Sequence, residues 1–241
     1  MRASGERVTW SPRPAGRSIP VLLSLWFLAI CLSPAAGYPR QAAGSGDPPP
    51  ASDLSKALPL DTATTLGRLP NGLSYFIRTN RKPEKRAELR LVVNAGSMLE
   101  DEDQRGLAHF VEHMAFNGTA HYKKQELVNY LESVGMRFGP DLNAYTSFDE
   151  TVFMLQIPTD SLPVVENAFV ILEDWAHGIS FDDDEIEKER GVVIEEWRLG
   201  RGAGQRMRDK QFPVLFKDSR YAQRLPIGEK SIIEKCRHET L

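Results

Sequence analysis

Residues 106–119 read GLAHFVEHMAFNGT, and this short apolar stretch carries two of the five histidines of the chain. Side chains four positions apart lie one turn above each other on a helix, so His109 and His113 can present two imidazoles to one metal ion. Glu112 lies on nearly the same face, where its carboxylate can reach a metal-bound water and take its proton. The stretch therefore predicts a short helix over residues 106–115 that carries a metal site.

The alternative is an ordinary surface helix whose His and Glu side chains face the solvent. Leu107, Phe110 and Met114 make the stretch too apolar for such a helix. In a buried helix, a His–Glu–His cluster without a partner would be costly. We therefore favour the metal site, and the order His-x-x-Glu-His is that of the inverzincin motif.

A zinc ion held by two imidazoles needs a third protein ligand, and Glu, His or Cys could supply it. The other histidines qualify only by residue type: His121, His177 and His238. On a second helix, predicted over residues 184–199, Glu189 and Glu196 lie two turns apart on the face that also carries apolar side chains. This placement favours Glu196 as the third ligand and Glu189 as a support behind a neighbouring ligand. A solvated run of charges is the alternative for this helix.

The segments around these two helices show both periodicities of regular structure. Three segments alternate as strands do: residues 73–77, 87–95 and 143–157. Amphipathic helices are predicted over residues 124–134 and 162–176. Strands and helices come in blocks, which predicts an α+β fold with a mainly antiparallel sheet. Beyond residue 200 the pattern is mixed and predicts no particular element.

The N-terminus predicts export. Four arginines precede an apolar run over residues 19–32, and small residues follow at 35–37, so residues 1–37 are interpreted as a signal peptide. The alternative is an uncleaved membrane anchor, although the run is shorter than the about 20 residues that a span needs. Residues 38–60 are rich in Pro, Gly and Ala and predict a disordered linker before a domain over residues 61–241. Removal of the leader would leave Cys236 alone, so no disulfide within the chain is expected.

The composition is that of a globular protein, with 41% hydrophobic and 26% charged residues and a net charge of -3. The leader carries four arginines and one glutamate, so the remaining chain is more acidic than the whole. This balance gives no electrostatic reason to expect nucleic acid or an anionic membrane as a partner, beyond a possible N-terminal anchor.

Two segments of the chain resemble one known family. Residues 106–119 closely resemble the zinc-site segment of the pitrilysin-type (M16) peptidases, which include insulin-degrading enzyme, the mitochondrial processing peptidase and many secreted bacterial zinc peptidases. Residues 189–196 (ERGVVIEE) resemble the second conserved segment of that family. Residues 69–73 (LPNGL) and 144–151 (AYTSFDET) are similar to strand segments of its members. The resemblance covers residues 66–241 and is nearest to the bacterial secreted members.

This resemblance implies a layered α+β sandwich, the mitochondrial-processing-peptidase-like metallohydrolase fold, with the active-site helix against the antiparallel sheet. It implies one Zn²⁺ per chain held by His109, His113 and Glu196, with Glu112 as general base and Glu189 behind the ligands. The implied activity is that of a zinc-dependent endopeptidase, in which a zinc-bound water activated by Glu112 hydrolyses bonds of peptides or unfolded polypeptides.

Family members continue beyond the point where this chain ends, so we expect a truncated N-terminal catalytic domain that needs a C-terminal half or a partner subunit to close its site. The alternative is a non-catalytic peptide-binding or scaffolding subunit. A third alternative is a small-molecule lyase with the same fold. A lyase that resembles this family uses Cys as its third zinc ligand, and Cys236 lies too far along the chain for that role. The leader predicts a periplasmic or secreted location.

Overall fold

The structure is a computed structural model that describes residues 59–241. The predicted signal peptide over residues 1–37 and nearly all of the predicted linker over residues 38–60 lie outside the described residues. Within the described range, no helix has both the length and the apolar character that a membrane span requires.

A β-hairpin opens the described part of the chain. Strand β1 (Thr64–Arg68) pairs antiparallel with β2 (Ser74–Arg78), and Gly72 in the turn between them has a positive φ of +95°. Among the described helices and strands, this hairpin makes its main contacts within itself. Several of its large apolar side chains, including Phe76, are exposed. A hairpin of this kind has little stability of its own.

The main sheet has three antiparallel strands in the order β3-β5-β4. These strands are β3 (Arg86–Val93), β4 (Leu142–Thr146) and β5 (Thr151–Pro158). The central strand, β5, pairs on both edges and is mostly buried, whereas β3 alternates partly buried and exposed positions as its sequence predicts. The predicted α+β class with an antiparallel sheet is confirmed.

Four helices follow the limits predicted from the sequence within one or two residues. They are α1 (Leu107–Met114), α2 (Glu126–Ser133), α3 (Leu162–His177) and α4 (Asp183–Leu199). Helices α2 and α3 pack with the sheet around a core that includes Leu131, Leu155, Ile171 and Trp175. The Trp175 indole donates a hydrogen bond of 3.0 Å to the carbonyl of Ala115, which ties α3 to the end of α1.

A second apolar cluster fixes α1 against α4. Phe110 and Met114 of α1 pack with Ile186 and Val193 of α4, and Ile233 completes the cluster. Ile233 ends the short helix α6 (Lys230–Ile233), which follows a longer helix, α5 (Ala203–Leu215). The sequence pattern did not predict α5, because none of its residues is buried and Pro213 lies inside it, so no apolar stripe marks it.

The start of α1 is anchored by a carboxylate and by a close backbone contact. The Glu100 carboxylate accepts hydrogen bonds from the backbone N–H groups of Gly106 (3.1 Å) and Ala108 (2.9 Å). Arg224 in turn donates to the Glu100 carbonyl at 3.1 Å. Gly106 and Gly228 both have positive φ, and a Cβ added to Gly228 would lie 2.2 Å from the Gly106 Cα. Residues near the end of the chain therefore position the helix that carries the histidines.

Candidate metal centre

The structure brings the three predicted metal ligands together from two helices. The Nε2 atoms of His109 and His113, one turn apart on α1, lie 3.2 Å from each other. The Oε2 atom of Glu196, on α4, lies 3.6 Å from the His109 Nε2 and 3.3 Å from the His113 Nε2. Packing of α1 against α4 therefore converts two distant sequence segments into one cluster of donor atoms.

This cluster fits a zinc ion. Two imidazoles and one carboxylate form a common ligand set of catalytic zinc, which keeps a fourth position for water or substrate. Ligand atoms placed about 2.0–2.1 Å from a tetrahedral ion lie about 3.3 Å from one another, which matches the spacing found between these donors. Within the described residues, His109, His113 and Glu196 are the group of three such side chains whose ligand atoms lie close enough together to share one ion.

Glu189 lies behind His113, on the side away from the cluster. Its Oε1 atom is 2.7 Å from the His113 Nδ1. Asn117 donates hydrogen bonds to the Glu189 Oε2 at 2.8 Å and to the His113 carbonyl at 3.1 Å. A carboxylate in this position fixes the tautomer and the orientation of an imidazole, so that its other nitrogen faces the metal.

Asn117 is a residue of this site that the sequence analysis does not predict. Its one signal was its position four residues after His113, which places the two side by side at the end of α1.

The two imidazoles have opposite pKa shifts. Burial lowers the pKa of His113, but its hydrogen bonds to Glu189 and Glu196 outweigh burial and raise the pKa to about 9. Burial, and then the charge of His113, lower the pKa of His109 to about 4. The Nδ1 atom of His109 is buried and has no hydrogen-bond partner among the described residues. The carboxylates therefore make this a site that attracts positive charge.

Glu112 lies beside the cluster and is only 8% exposed. Its Oε2 atom accepts a hydrogen bond of 2.7 Å from the hydroxyl of Thr146 on β4. Burial raises the pKa of Glu112, although the hydrogen bond from Thr146 opposes this shift. Thr146 was not predicted as a site residue, because the sequence does not show which strand residue faces α1.

The cluster opens into a pocket of about 360 Å³. Its lining includes His109, Glu112, Tyr145, Thr146 and Ile227. A larger groove of about 750 Å³ runs along α4 and α5, and its lining shares Glu196 and Ile227 with the pocket. The pocket and the groove are therefore neighbours on one face of the molecule.

Comparison with known proteins identifies the family of this chain. Residues 75–200 match the model of the insulinase family, peptidase family M16. The chain belongs to family M16. A zinc protease PQQL-like protein of Arabidopsis thaliana is 47% identical over 167 residues, which cover 69% of this chain and 18% of that protein. The probable zinc protease PqqL of Escherichia coli is 39% identical, over 73% of this chain and 19% of that protein.

Solved structures of M16 proteins share the fold of this chain. The crystal structure of the periplasmic protease PqqL from Escherichia coli has a TM-score of 0.74 and 37% identity, over 77% of this chain and 20% of that chain. The crystal structure of pitrilysin has a TM-score of 0.59 and 27% identity, over 70% of this chain and 17% of that chain. This M16 chain spans about a fifth of the length of the two zinc protease relatives described above.

The remaining histidines of this M16 chain lie away from the donor cluster. His121 contacts Asp174 at 2.8 Å, and His177 lies 3.6 Å from Glu173. His238 contacts Glu187 at 2.7 Å. These three histidines, which qualify as ligands only by residue type, therefore do not belong to the donor cluster.

Proposed function

We propose that this M16 chain is the zinc-carrying catalytic domain of an endopeptidase that hydrolyses bonds of peptides or unfolded polypeptides. The observation that carries the proposal is the cluster of His109, His113 and Glu196 beside the buried carboxylate of Glu112. One zinc ion per chain would be held by these three side chains. Relatives described as zinc proteases support the same activity.

Zinc, when bound, lowers the pKa of a water molecule and polarises the scissile carbonyl. The chain supplies the base: Glu112 accepts the proton of the attacking water on Oε1, while Thr146 holds Oε2. Glu112 then passes this proton to the nitrogen of the leaving amine. Because burial raises the pKa of Glu112, the carboxyl group can hold the proton between the two transfers. Glu189 keeps His113 oriented toward the cluster throughout.

The sheet offers a place for the substrate backbone. Strand β4 lies at the edge of the sheet, and its residues Ala144, Tyr145 and Thr146 line the pocket beside Glu112. An edge strand can pair with an extended peptide through main-chain hydrogen bonds. This mode of binding supports peptides or unfolded segments as substrates, since a folded chain does not present its backbone in that form.

We further propose that the domain is exported, with a signal peptide over residues 1–37, a linker over residues 38–60 and the catalytic domain over residues 61–241. The relative of known structure from Escherichia coli is described as periplasmic, which supports export. Even of the first half of that protease, the chain covers 39%. A C-terminal half or a partner subunit would therefore close the site. A non-catalytic peptide-binding or scaffolding subunit is the alternative, in which the edge strand β4 and the pocket would bind a peptide without a zinc ion.

The zinc content per chain tests this proposal. Wild-type protein and the variants Glu196→Gln and Glu195→Gln are dialysed against a weak chelator, and zinc is then measured. Glu195 is the matched control, because it is adjacent to Glu196 but pairs with Arg198 at 2.6 Å. We expect one zinc per chain in the wild type and in Glu195→Gln, and a loss of zinc in Glu196→Gln. No zinc in the wild type would contradict the catalytic proposal and favour the binding subunit.

A further inference from the structure

The part of the chain that follows α4 is strongly basic. Residues 198–224 contain eight Lys and Arg residues against two Asp and no Glu, within a chain whose overall net charge is -3. This segment contains α5 and forms one side of the groove of about 750 Å³. A local excess of positive charge beside the proposed active site favours acidic groups on whatever binds there.

The groove is continuous with the proposed catalytic pocket. Glu196 and Ile227 line both, so a peptide that passes the metal cluster in an extended form can enter the groove. Its walls are largely apolar, with Val192, Trp197 and Leu199 on the α4 side. Val192 is 51% exposed and Leu199 is 68% exposed, so neither side chain is covered by the rest of the described chain.

Two of the three cations that line the groove are already neutralised. Lys188 pairs with Glu185 at 2.8 Å. Arg201 pairs with Asp209 at 3.1 Å, and its guanidinium also lies over the Trp197 ring, 4.7 Å from the ring centroid. Neither side chain therefore has its full charge available for a ligand.

Arg208 is different from the other two. Its guanidinium donates to the neutral amide oxygen of Gln205, at 3.1 Å from Nε and 2.8 Å from Nη2. Among the residues that the structure describes, no carboxylate forms an ion pair with it. A guanidinium binds carboxylates with a geometry that fits two parallel hydrogen bonds. Within residues 59–241, the groove thus presents an apolar wall and one cation, Arg208, that is free to pair.

We propose that this groove binds an acidic segment of the peptide substrate, with Arg208 pairing with an Asp or Glu side chain of that segment. This inference rests on the proposed peptidase function and names the substrate class that the site prefers. Glu112 and Glu196 line the catalytic pocket, and Glu196 also lines the groove where the two meet, so the pocket end of the connected cavity repels a continuous polyanion. A peptide that is acidic at one end and apolar near the scissile bond matches both ends, whereas a nucleic acid does not.

The test measures peptide binding by fluorescence anisotropy with the zinc-loaded full chain at physiological salt. All proteins carry Glu112→Gln so that the probe is not consumed. The probes are two fluorescein-labelled twelve-residue peptides of Ala, Leu and Ser, one with two Glu near one end and the other with two Gln at the same positions. We expect the Glu peptide to bind about fivefold more tightly, as for one partly exposed ion pair.

Arg208→Gln should abolish this preference, whereas Lys210→Gln should keep it. Lys210 is the matched control, because it loses the same charge from the same helix but does not line the groove. Equal affinity for the two peptides in the wild type would overturn the inference. Equal losses of the preference for the Glu peptide in the two variants would also overturn it, because they indicate unspecific attraction by positive charge. A single-stranded oligonucleotide that displaces the labelled Glu peptide at a lower concentration than the unlabelled Glu peptide does would overturn it as well.

The zinc content of the same preparations separates the two proposals. A chain that lacks zinc but still prefers the Glu peptide through Arg208 supports the inference and contradicts the peptidase function. A chain with one zinc and no preference for the Glu peptide supports the function and overturns the inference.

Discussion

Glu112 is the residue on which the proposed chemistry depends. One of its carboxylate oxygens is fixed by Thr146 at 2.7 Å, and the side chain is buried beside the metal cluster. A single fixed oxygen holds the orientation of the carboxylate, so that the other oxygen can exchange a proton. Burial raises the pKa of this carboxyl group, which favours the form that holds a proton between the two proposed transfers.

Replacement of Glu112 by Gln should abolish hydrolysis without loss of metal. The amide keeps the size and the hydrogen bond to Thr146 but cannot accept a proton, so we expect kcat/KM to fall by about 10²–10⁴-fold. The measurement is cleavage of a quenched fluorescent peptide by the zinc-loaded protein, together with its zinc content. Glu132→Gln, an exposed position on α2, is the control and should behave as wild type. Retained cleavage in Glu112→Gln would rule out the base assignment.

His121 provides a pH-dependent contribution to stability away from the metal cluster. Its hydrogen bond to Asp174 raises its pKa above the ordinary value of 6.5. A raised pKa in the folded chain adds stability that is fully present below 6.5 and is lost as the pH rises through the raised value. The free energy of unfolding lost in His121→Gln should therefore be larger at about pH 6 than at about pH 9.

Urea unfolding of both proteins at the two pH values measures this difference. Gln211→Asn, an exposed neutral change on α5, is the control and should show the same small effect at both pH values. A loss in His121→Gln that is equal at both pH values would contradict the role of the protonated imidazole.

At the scale of elements, the site depends on two helices that meet at one face. Helix α1 carries both histidines and Glu112, and α4 carries Glu189 and Glu196 seven residues apart. Because seven residues make about two turns, these two carboxylates reach the α1 face at different heights. Glu196 belongs to the cluster of donor atoms, and Glu189 lies behind His113.

Glu189→Gln should weaken metal binding without unfolding the chain. Loss of the carboxylate charge behind His113 makes the imidazole a poorer ligand, and changes of this kind cost about 10–100-fold in metal affinity. Competition with a coloured chelator measures the affinity for zinc. Glu195→Gln, on the same helix, serves again as the control and should leave the affinity unchanged. An unchanged affinity in Glu189→Gln would show that its bond to His113 does not support metal binding.

The elements also show what the sequence could and could not predict. Helices α1 and α4 were predicted nearly to the residue, because their apolar positions repeat with the helical period. The absence of any buried residue in α5 left no such pattern. The contact of Thr146 with Glu112 was not predictable, because it depends on how β4 packs against α1 and joins residues 34 positions apart. Periodicity places a residue on a face, but only tertiary packing decides what that face meets.

At the scale of the whole molecule, helix α1 is supported by residues 224–228. Gly228 packs directly on Gly106, and Arg224 binds the carbonyl of Glu100, whose carboxylate caps α1. The side chain of Ser97 adds a hydrogen bond of 2.6 Å to the carbonyl of Arg224. These contacts connect positions more than 120 residues apart.

Gly228→Ala should destabilise the fold and displace α1. Its φ of +70° is unfavourable for Ala, and the new Cβ would lie 2.2 Å from the Gly106 Cα, so we expect a loss of about 2–4 kcal/mol. Thermal or urea unfolding measures the loss, and the zinc content of the folded protein reports the displacement of α1. Gly204→Ala, at a helical position with open space around its Cβ, is the control and should be neutral or slightly stabilising. Wild-type stability in Gly228→Ala would show that the close contact relaxes freely.

The anchoring of α1 also bears on how long a fragment of the chain has to be to hold the proposed metal ligands in place. The family match ends at residue 200, and a fragment cut there would still contain all five side chains of the proposed centre. It would lack Arg224 and Gly228, and with them the contacts that fix the loop before α1. A fragment that keeps these hydrogen bonds and backbone contacts therefore has to extend beyond Glu196, the last of the proposed ligands.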